Sequence, residues 1–307
     1  MALRRHGVVQ GDRTPVVTIP DAMYATLGYA LLRAVARRLP PRLGPATVRA
    51  GARLHYRLAA DKRRAVRLNL EHVLSWRDRT VRPEAVDLLA RRTFENHGRL
   101  LYEWLRDGDG VTMRFGGLGH LDRALERGRG AVICTCHLGN WEIAALELAR
   151  RGYTLHVVSG EQLGRLGAAV RRHKATHGIH VVRPFDGMRK LYRALEHGEI
   201  VVLLIDGDIY SRAHPTCFFG TPTPLPLGGA HLARATGAAL LPAVMVHDAQ
   251  VERGYAVTVL PPVTRGRTDL ETMSAVLRAL EPSIASHPQQ WCLFRPLWPA
   301  APGWNAA

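Results

Sequence analysis

The chain has 307 residues and 47% hydrophobic content, enough for one large domain or two small ones; its four cysteines are too few for a disulfide framework at this length. Its formal charge of +16 implies an anionic partner. No apolar run reaches the roughly 18 residues of a membrane span, and no apolar core follows the opening MALRRHG, so neither a spanning helix nor a signal peptide is expected.

Residues 1–20 read as a flexible tail. A helix is expected from Asp21, a candidate cap, to Leu39, stopped by Pro40 and Pro41. A second is expected over Ala46–Ala60, with Arg49, Arg53 and Arg57 at successive i,i+4 steps on one basic ridge. The stretch DKRRAVRLNLEHVL continues in the same style, and Pro83–Leu105 reads as another helix. The charge is concentrated here: residues 1–106 hold 21 Lys+Arg against 9 Asp+Glu, whereas residues 107–307 hold 21 against 17. Ordinary amphipathic helices with solvated faces account for each helix singly. Basic faces repeated across several helices favour a surface that meets anionic lipid. Nearly all the cations are arginine, a bias that a GC-rich genome also produces; Lys62, Lys174 and Lys190 are the only lysines.

After Val111 short apolar runs alternate with helical stretches. Strands are expected at Ala131–Thr135, Leu155–Ser159, His180–Arg183, Ile200–Asp206, Ala239–Val246 and Tyr255–Leu260. Helices are expected at Leu121–Arg127, Trp141–Arg151, Gln162–Thr176, Gly187–Glu196, Gly229–Thr236 and Asp269–Ser286. The pattern implies an α/β fold: a mainly parallel central sheet flanked by helices, preceded by a basic amphipathic helical region. Ser211–Gly228 reads as a long Pro/Gly loop. The expected organisation is one domain over 21–307, with a helical region at 21–106 and an α/β core at 107–307.

His137 follows the strand at Ala131–Thr135, and Glu142 lies in the first turn of the next helix. Residues five apart on one helix point away from each other, so the two converge only if the histidine sits in the preceding loop. A carboxylate on one ring nitrogen would fix the tautomer and leave the other as a base. A capping histidine with a dipole-favoured glutamate remains the bland reading. Cys134, Cys136 and His137 also raise a zinc site, but no second Cys/His cluster of suitable spacing follows. No Walker A, G-x-S-x-G or H-E-x-x-H run is present. Asp206 and Asp208 close another apolar strand, either as turn residues or as a carboxylate facing the same cleft as His137.

HLGNWE (His137–Glu142) resembles the H-x4-D/E motif of the lysophospholipid acyltransferases, in the branch of the bacterial lipid A secondary acyltransferases and phosphatidylinositol mannoside acyltransferases. LIDGDIYSRAHPTCFFGTPTPLPLGGAHLARATGAALLP and HPQQWCLFRPLW resemble that branch's second and C-terminal blocks, so the likeness covers roughly residues 20–298. Glu142 departs from the aspartate usual in the mannoside branch. The resemblance implies transfer of a fatty acyl group from acyl-CoA or acyl carrier protein to a hydroxyl of an amphiphile, without metal or resident cofactor. It implies His137 as base, Glu142 orienting it and Asp206 assisting. Asn140, Glu161, Arg172, Lys174, Arg183, Asp208, Phe218 and Phe219 are the substrate-binding candidates, with Arg171 an alternative at the family's basic position. The expected location is the cytoplasmic face of the plasma membrane, peripheral or monotopic. A natural-product hydroxyl is the alternative acceptor, and a basic nucleic-acid-binding protein the reading from another class; no nucleic acid is expected as partner.

Overall fold

The computed structural model describes residues 19–40, 43–77, 81–159, 164–183, 187–207, 213–248 and 254–298. Four helices come first: α1 (Ile19–Arg38), α2 (Leu43–Leu58), α3 (Ala60–Arg77) and α4 (Pro83–Leu105). Pro83 starts α4 because its missing N–H falls where a helix has no use for one. Val66 and Leu70 of α3 pack with Val86, Ala90 and Phe94 of α4 in a small core of their own. Arg33 fastens α1 to the rest through Asp107 at 2.6 Å.

Strands and helices then alternate: β1 (Thr112–Gly116), α5 (Leu118–Leu125), β2 (Ala131–Thr135), α6 (Trp141–Arg150), β3 (Leu155–Val158), α7 (Gly164–Ala175), β4 (Ile179–Val182), α8 (Met188–Glu196) and β5 (Ile200–Leu204). A ribbon of β6 (Ala213–Phe218) and β7 (Thr221–Pro226) follows, then α9 (Gly228–Thr236), β8 (Ala239–Asp248), β9 (Gly254–Val259) and α10 (Asp269–Ser286). Seven strands form one sheet in the order β1-β9-β8-β2-β5-β3-β4, parallel except where β9 returns beside β8. This is the α/β architecture expected from the alternation.

The central strand β2 is buried at all five residues, as a sheet covered on both faces requires. Val132 and Cys134 point into the core under α8, α9 and α10, and Ala131 and Ile133 into the core under α5 and α6. The register of β2 with β5 sets Thr135 opposite Leu204. Two residues further, His137 and Asp206 therefore leave the sheet side by side, at the strand carboxyl ends where α/β proteins hold ligands.

Two expectations are corrected. Residues 213–226, read as loop, form the β6–β7 hairpin: Pro215, Pro222, Pro224 and Pro226 all lie in it, and a detached two-stranded ribbon tolerates proline because each strand has a free edge. Residues 112–116, not assigned, form an edge strand whose exposure simply alternates.

Candidate active site

The catalytic candidate sits in a turn built by its neighbours. Gly139 has φ +65°, and a Cβ there would run into the Met245 carbonyl, so only glycine lets this turn lie against β8. Asn140 caps α6 by accepting from the Ile143 N–H at 3.3 Å. A strap over residues 288–292 closes the turn from outside. Gly139 N–H donates to the Gln290 carbonyl at 3.0 Å, and Cys292 N–H to the His137 carbonyl at 2.7 Å.

Asp206 binds this turn twice. Its Oδ1 lies 2.8 Å from His137 Nδ1, and its Oδ2 accepts the His137 backbone N–H at 2.7 Å. Trp291 Nε1–H donates to the same Oδ2 at 2.7 Å. A carboxylate only accepts, so Nδ1 carries the proton and Nε2 is left as the basic nitrogen. Asp206 is fully buried while the His137 side chain is 32% exposed, which leaves the ring accessible to a reactant and its partner shielded from water. Burial alone would raise the Asp206 carboxyl; the neighbouring His137 and the three hydrogen bonds outweigh it and hold the group below the ordinary carboxylate range. The Trp141 ring meets His137 edge-on, with centroids 4.8 Å apart.

The expectation that Glu142 orients His137 is corrected: the carboxylate on the ring is Asp206. Glu142 turns instead to Lys174 of α7, whose Nζ lies 2.6 Å from one carboxylate oxygen and 2.9 Å from the other. Lys174 is buried, with Nζ 5.5 Å from the centre of the Trp104 ring. A buried ammonium needs a charged partner, and the first turn of α6 supplies the nearest one. The pair clamps α7 to α6, so Lys174 acts in holding the site's walls together.

The remaining candidates divide. Asn140 is wholly buried and its amide is spent within the protein, donating to Glu103 Oε2 at 2.8 Å, so it shapes the turn and is not a substrate contact. Phe218 and Phe219 are also core residues, packed with Trp291 and Trp298. Arg172 and Arg183 are exposed, Arg172 with Arg171 in a basic groove along the edge strand β4. Glu161 and Asp208 lie outside the described residues. The structure adds Trp291, whose indole holds Asp206. Trp291 lay in the quoted C-terminal block, but no spacing rule ties it to Asp206. His97 of α4 is held down to about 4, chiefly by burial, with the positive fields of His55, Lys62 and His137 adding to it.

Cys134 and Cys136 are free and fully buried. Burial pushes the Cys134 thiol up to about 12, and Cys136 rises well above its ordinary value. Among the described residues, ligand atoms spaced for a metal occur at Asp107, His173 and His177, but there the Arg33 guanidinium already contacts both Asp107 and His173.

A shielded carboxylate behind an accessible histidine, at the carboxyl edge of an α/β sheet, defines a site that can take a proton from a bound hydroxyl. The chain belongs to the bacterial lipid A biosynthesis acyltransferase family, whose sequence pattern it matches over residues 12–299. It is 34% identical over 190 residues to a phosphatidylinositol mannoside acyltransferase of Mycobacterium tuberculosis, covering 60% of this chain and 59% of that relative. Against the phosphatidylinositol mannoside acyltransferase of Mycolicibacterium smegmatis it is 28% identical over 291 residues, covering 89% of this chain and 90% of the relative. The match thus spans about three fifths of the first relative and nearly all of the second.

Proposed function

We propose that the protein is an O-acyltransferase that moves a fatty acyl group from acyl-CoA or acyl carrier protein to a hydroxyl of a glycolipid such as a phosphatidylinositol mannoside or a lipid A precursor. The observation that carries this reading is the His137–Asp206 pair, with Nδ1 held at 2.8 Å and Nε2 left basic. The acceptor hydroxyl gives its proton to Nε2 as its oxygen attacks the thioester carbonyl. The carbon–sulfur bond then breaks, and the departing thiolate takes the proton back from the imidazolium, whose charge Asp206 offsets. A thioester is already activated, so base catalysis and stabilisation of the carbonyl oxygen suffice.

The reading places the chain on an anionic membrane surface, at the cytoplasmic face. Leu27, Leu31, Leu32 and Val35 of α1 and Leu54 and Leu58 of α2 are each at least half exposed. Arg49, Arg53 and Arg57 are exposed on α2. Exposed leucines beside arginines suit an interfacial helix, which enters the headgroup layer without crossing it. Among the described residues no helix is long and apolar enough to cross a membrane.

The test is incubation of the purified protein with palmitoyl-CoA and a mannosylated phosphatidylinositol, following thiol release and the acylated product by mass spectrometry. His137→Ala should stay folded and form no product. Thiol release by a folded His137→Ala variant at the wild-type rate would overturn the assignment of the base.

A further inference from the structure

A groove of about 680 Å³ opens between α4, the β1–β9–β8 edge of the sheet and the strap that closes the catalytic turn. Its size suits a polar headgroup or nucleotide fragment, and three arginines line it, Arg92 and Arg99 from α4 and Arg114 from β1, together with the imidazoles of His247 and His287. Two carboxylates also face it, and both are already paired. Glu95 meets Arg53 at 3.1 Å and Asp248 meets Arg114 at 2.7 Å. Among the described residues Arg92 and Arg99 form neither an ion pair nor a side-chain hydrogen bond. Arg99 is partly buried, so its charge is felt inside: after burial, it is the main influence holding His247 below its ordinary value.

The groove adjoins the chemistry through one residue. Gln290 lines it, accepts the Gly139 N–H through its carbonyl at 3.0 Å, and accepts the His247 N–H through Oε1 at 2.6 Å. The groove and the turn that carries His137 thus share Gln290. Two guanidinium forks without a partner among the described residues, set in a polar cavity, match the oxygens of a phosphate, which they bind in pairs through charge-assisted hydrogen bonds.

We propose that this groove is a phosphate-ester subsite in which Arg92 and Arg99 hold a phosphate carried by one of the two reactants. Its place in catalysis rests on the acyl-transfer reading; its affinity for phosphate does not. Both the diphosphate of an acyl-CoA and the phosphodiester of an acceptor headgroup present this chemistry.

Calorimetric titration with glycerol 3-phosphate, using glycerol as the blank, tests binding directly. Arg99→Gln and, separately, the more exposed Arg92→Gln should each weaken it at least about 10-fold, the effect of losing one charge-assisted hydrogen bond. Arg193→Gln, in the basic groove along β4, removes equal charge elsewhere and should leave binding unchanged. Kinetics then assign the source. If KM rises about 10-fold for palmitoyl-CoA but not for palmitoyl-pantetheine, which lacks phosphate, the phosphate is the donor's. If KM rises only for the phosphorylated form of the acceptor and not for its dephosphorylated form, it is the acceptor's. A wild-type protein that does not bind glycerol 3-phosphate, or equal weakening by Arg193→Gln, overturns the proposal. Phosphate binding that depends on Arg99, in a protein that consumes no thioester, would leave the subsite standing and sink the acyl-transfer reading instead.

Discussion

Replacing Asp206 with asparagine exchanges one oxygen for an amide nitrogen, and the geometry dictates which one. Oδ2 accepts two hydrogen bonds, from the His137 backbone and the Trp291 indole, so the amide oxygen of the variant is held in that place. The amide nitrogen then faces His137 Nδ1 across the 2.8 Å now spanned from Oδ1. An amide N–H only donates, so Nδ1 must become the acceptor and the ring proton moves to Nε2. The base is lost with almost no change of shape, and the carboxylate that offset the imidazolium goes with it. A tautomer error of this kind in a histidine–carboxylate pair lowers kcat by about 10⁴, or roughly 5 kcal/mol of transition-state stabilisation. Thiol release from palmitoyl-CoA in the presence of acceptor measures the loss, and thermal unfolding checks that the fold persists. An Asp206→Asn protein within 10-fold of wild-type kcat would refute the assignment of Asp206 to the ring.

Glu142→Gln should act through stability, since it strands the buried Lys174; removing one partner of such a pair costs about 3 kcal/mol at the low end of the usual range, and Glu142→Gln/Lys174→Met should recover part of it in denaturant unfolding. If Glu142→Gln leaves stability unchanged but abolishes turnover, the glutamate belongs to the catalytic pair after all. Stability should fall in two acid steps. His97, held down to about 4 in the fold, binds a proton more readily when unfolded, so stability drops from pH 6.5 to about 4 by roughly 3 kcal/mol, and His97→Leu should flatten that slope. Asp206, depressed in the fold, contributes fully above the ordinary aspartate value and loses its contribution as pH falls through its lower folded value. Changing Arg49, Arg53 and Arg57 to glutamate should weaken binding to anionic vesicles about 100-fold, at roughly 1 kcal/mol per arginine, with the wild-type affinity itself falling as salt rises; sedimentation with vesicles measures it, and an unchanged affinity would remove α2 from the membrane face.

The strand, loop and helix around His137 were legible because their signals are local: an apolar run for β2, then a helical run opening at Trp141. Glu142 misled for the same reason. Spacing along the chain reports neighbours, whereas Asp206 lies 69 residues from His137 and reaches it only through the pairing of β2 with β5. The strand ending in Asp206 could be read, and the resemblance carried Asp206 to the histidine's side; spacing alone could not seat it beside β2. The prolines of residues 213–226 hid a ribbon, because proline excludes a central strand and says nothing against a free edge. Phe218 and Phe219 stood in a family block and so looked like substrate contacts, but burial depends on what packs above them, here Trp291 and Trp298.

The strap over residues 288–292 ties the order of synthesis to the order of function. The Trp291 indole spans 85 residues to reach Asp206, and Leu293, just past the strap, accepts from Asn69 across 224. Contacts of such long range close late, after the elements between them have formed. A growing chain therefore adds 85 residues after Asp206 before the indole that braces it has been made. Until that segment has been made and docked, the Asp206 carboxylate lacks the Trp291 member of its three hydrogen bonds, so a nascent chain holds the His137 pair incompletely.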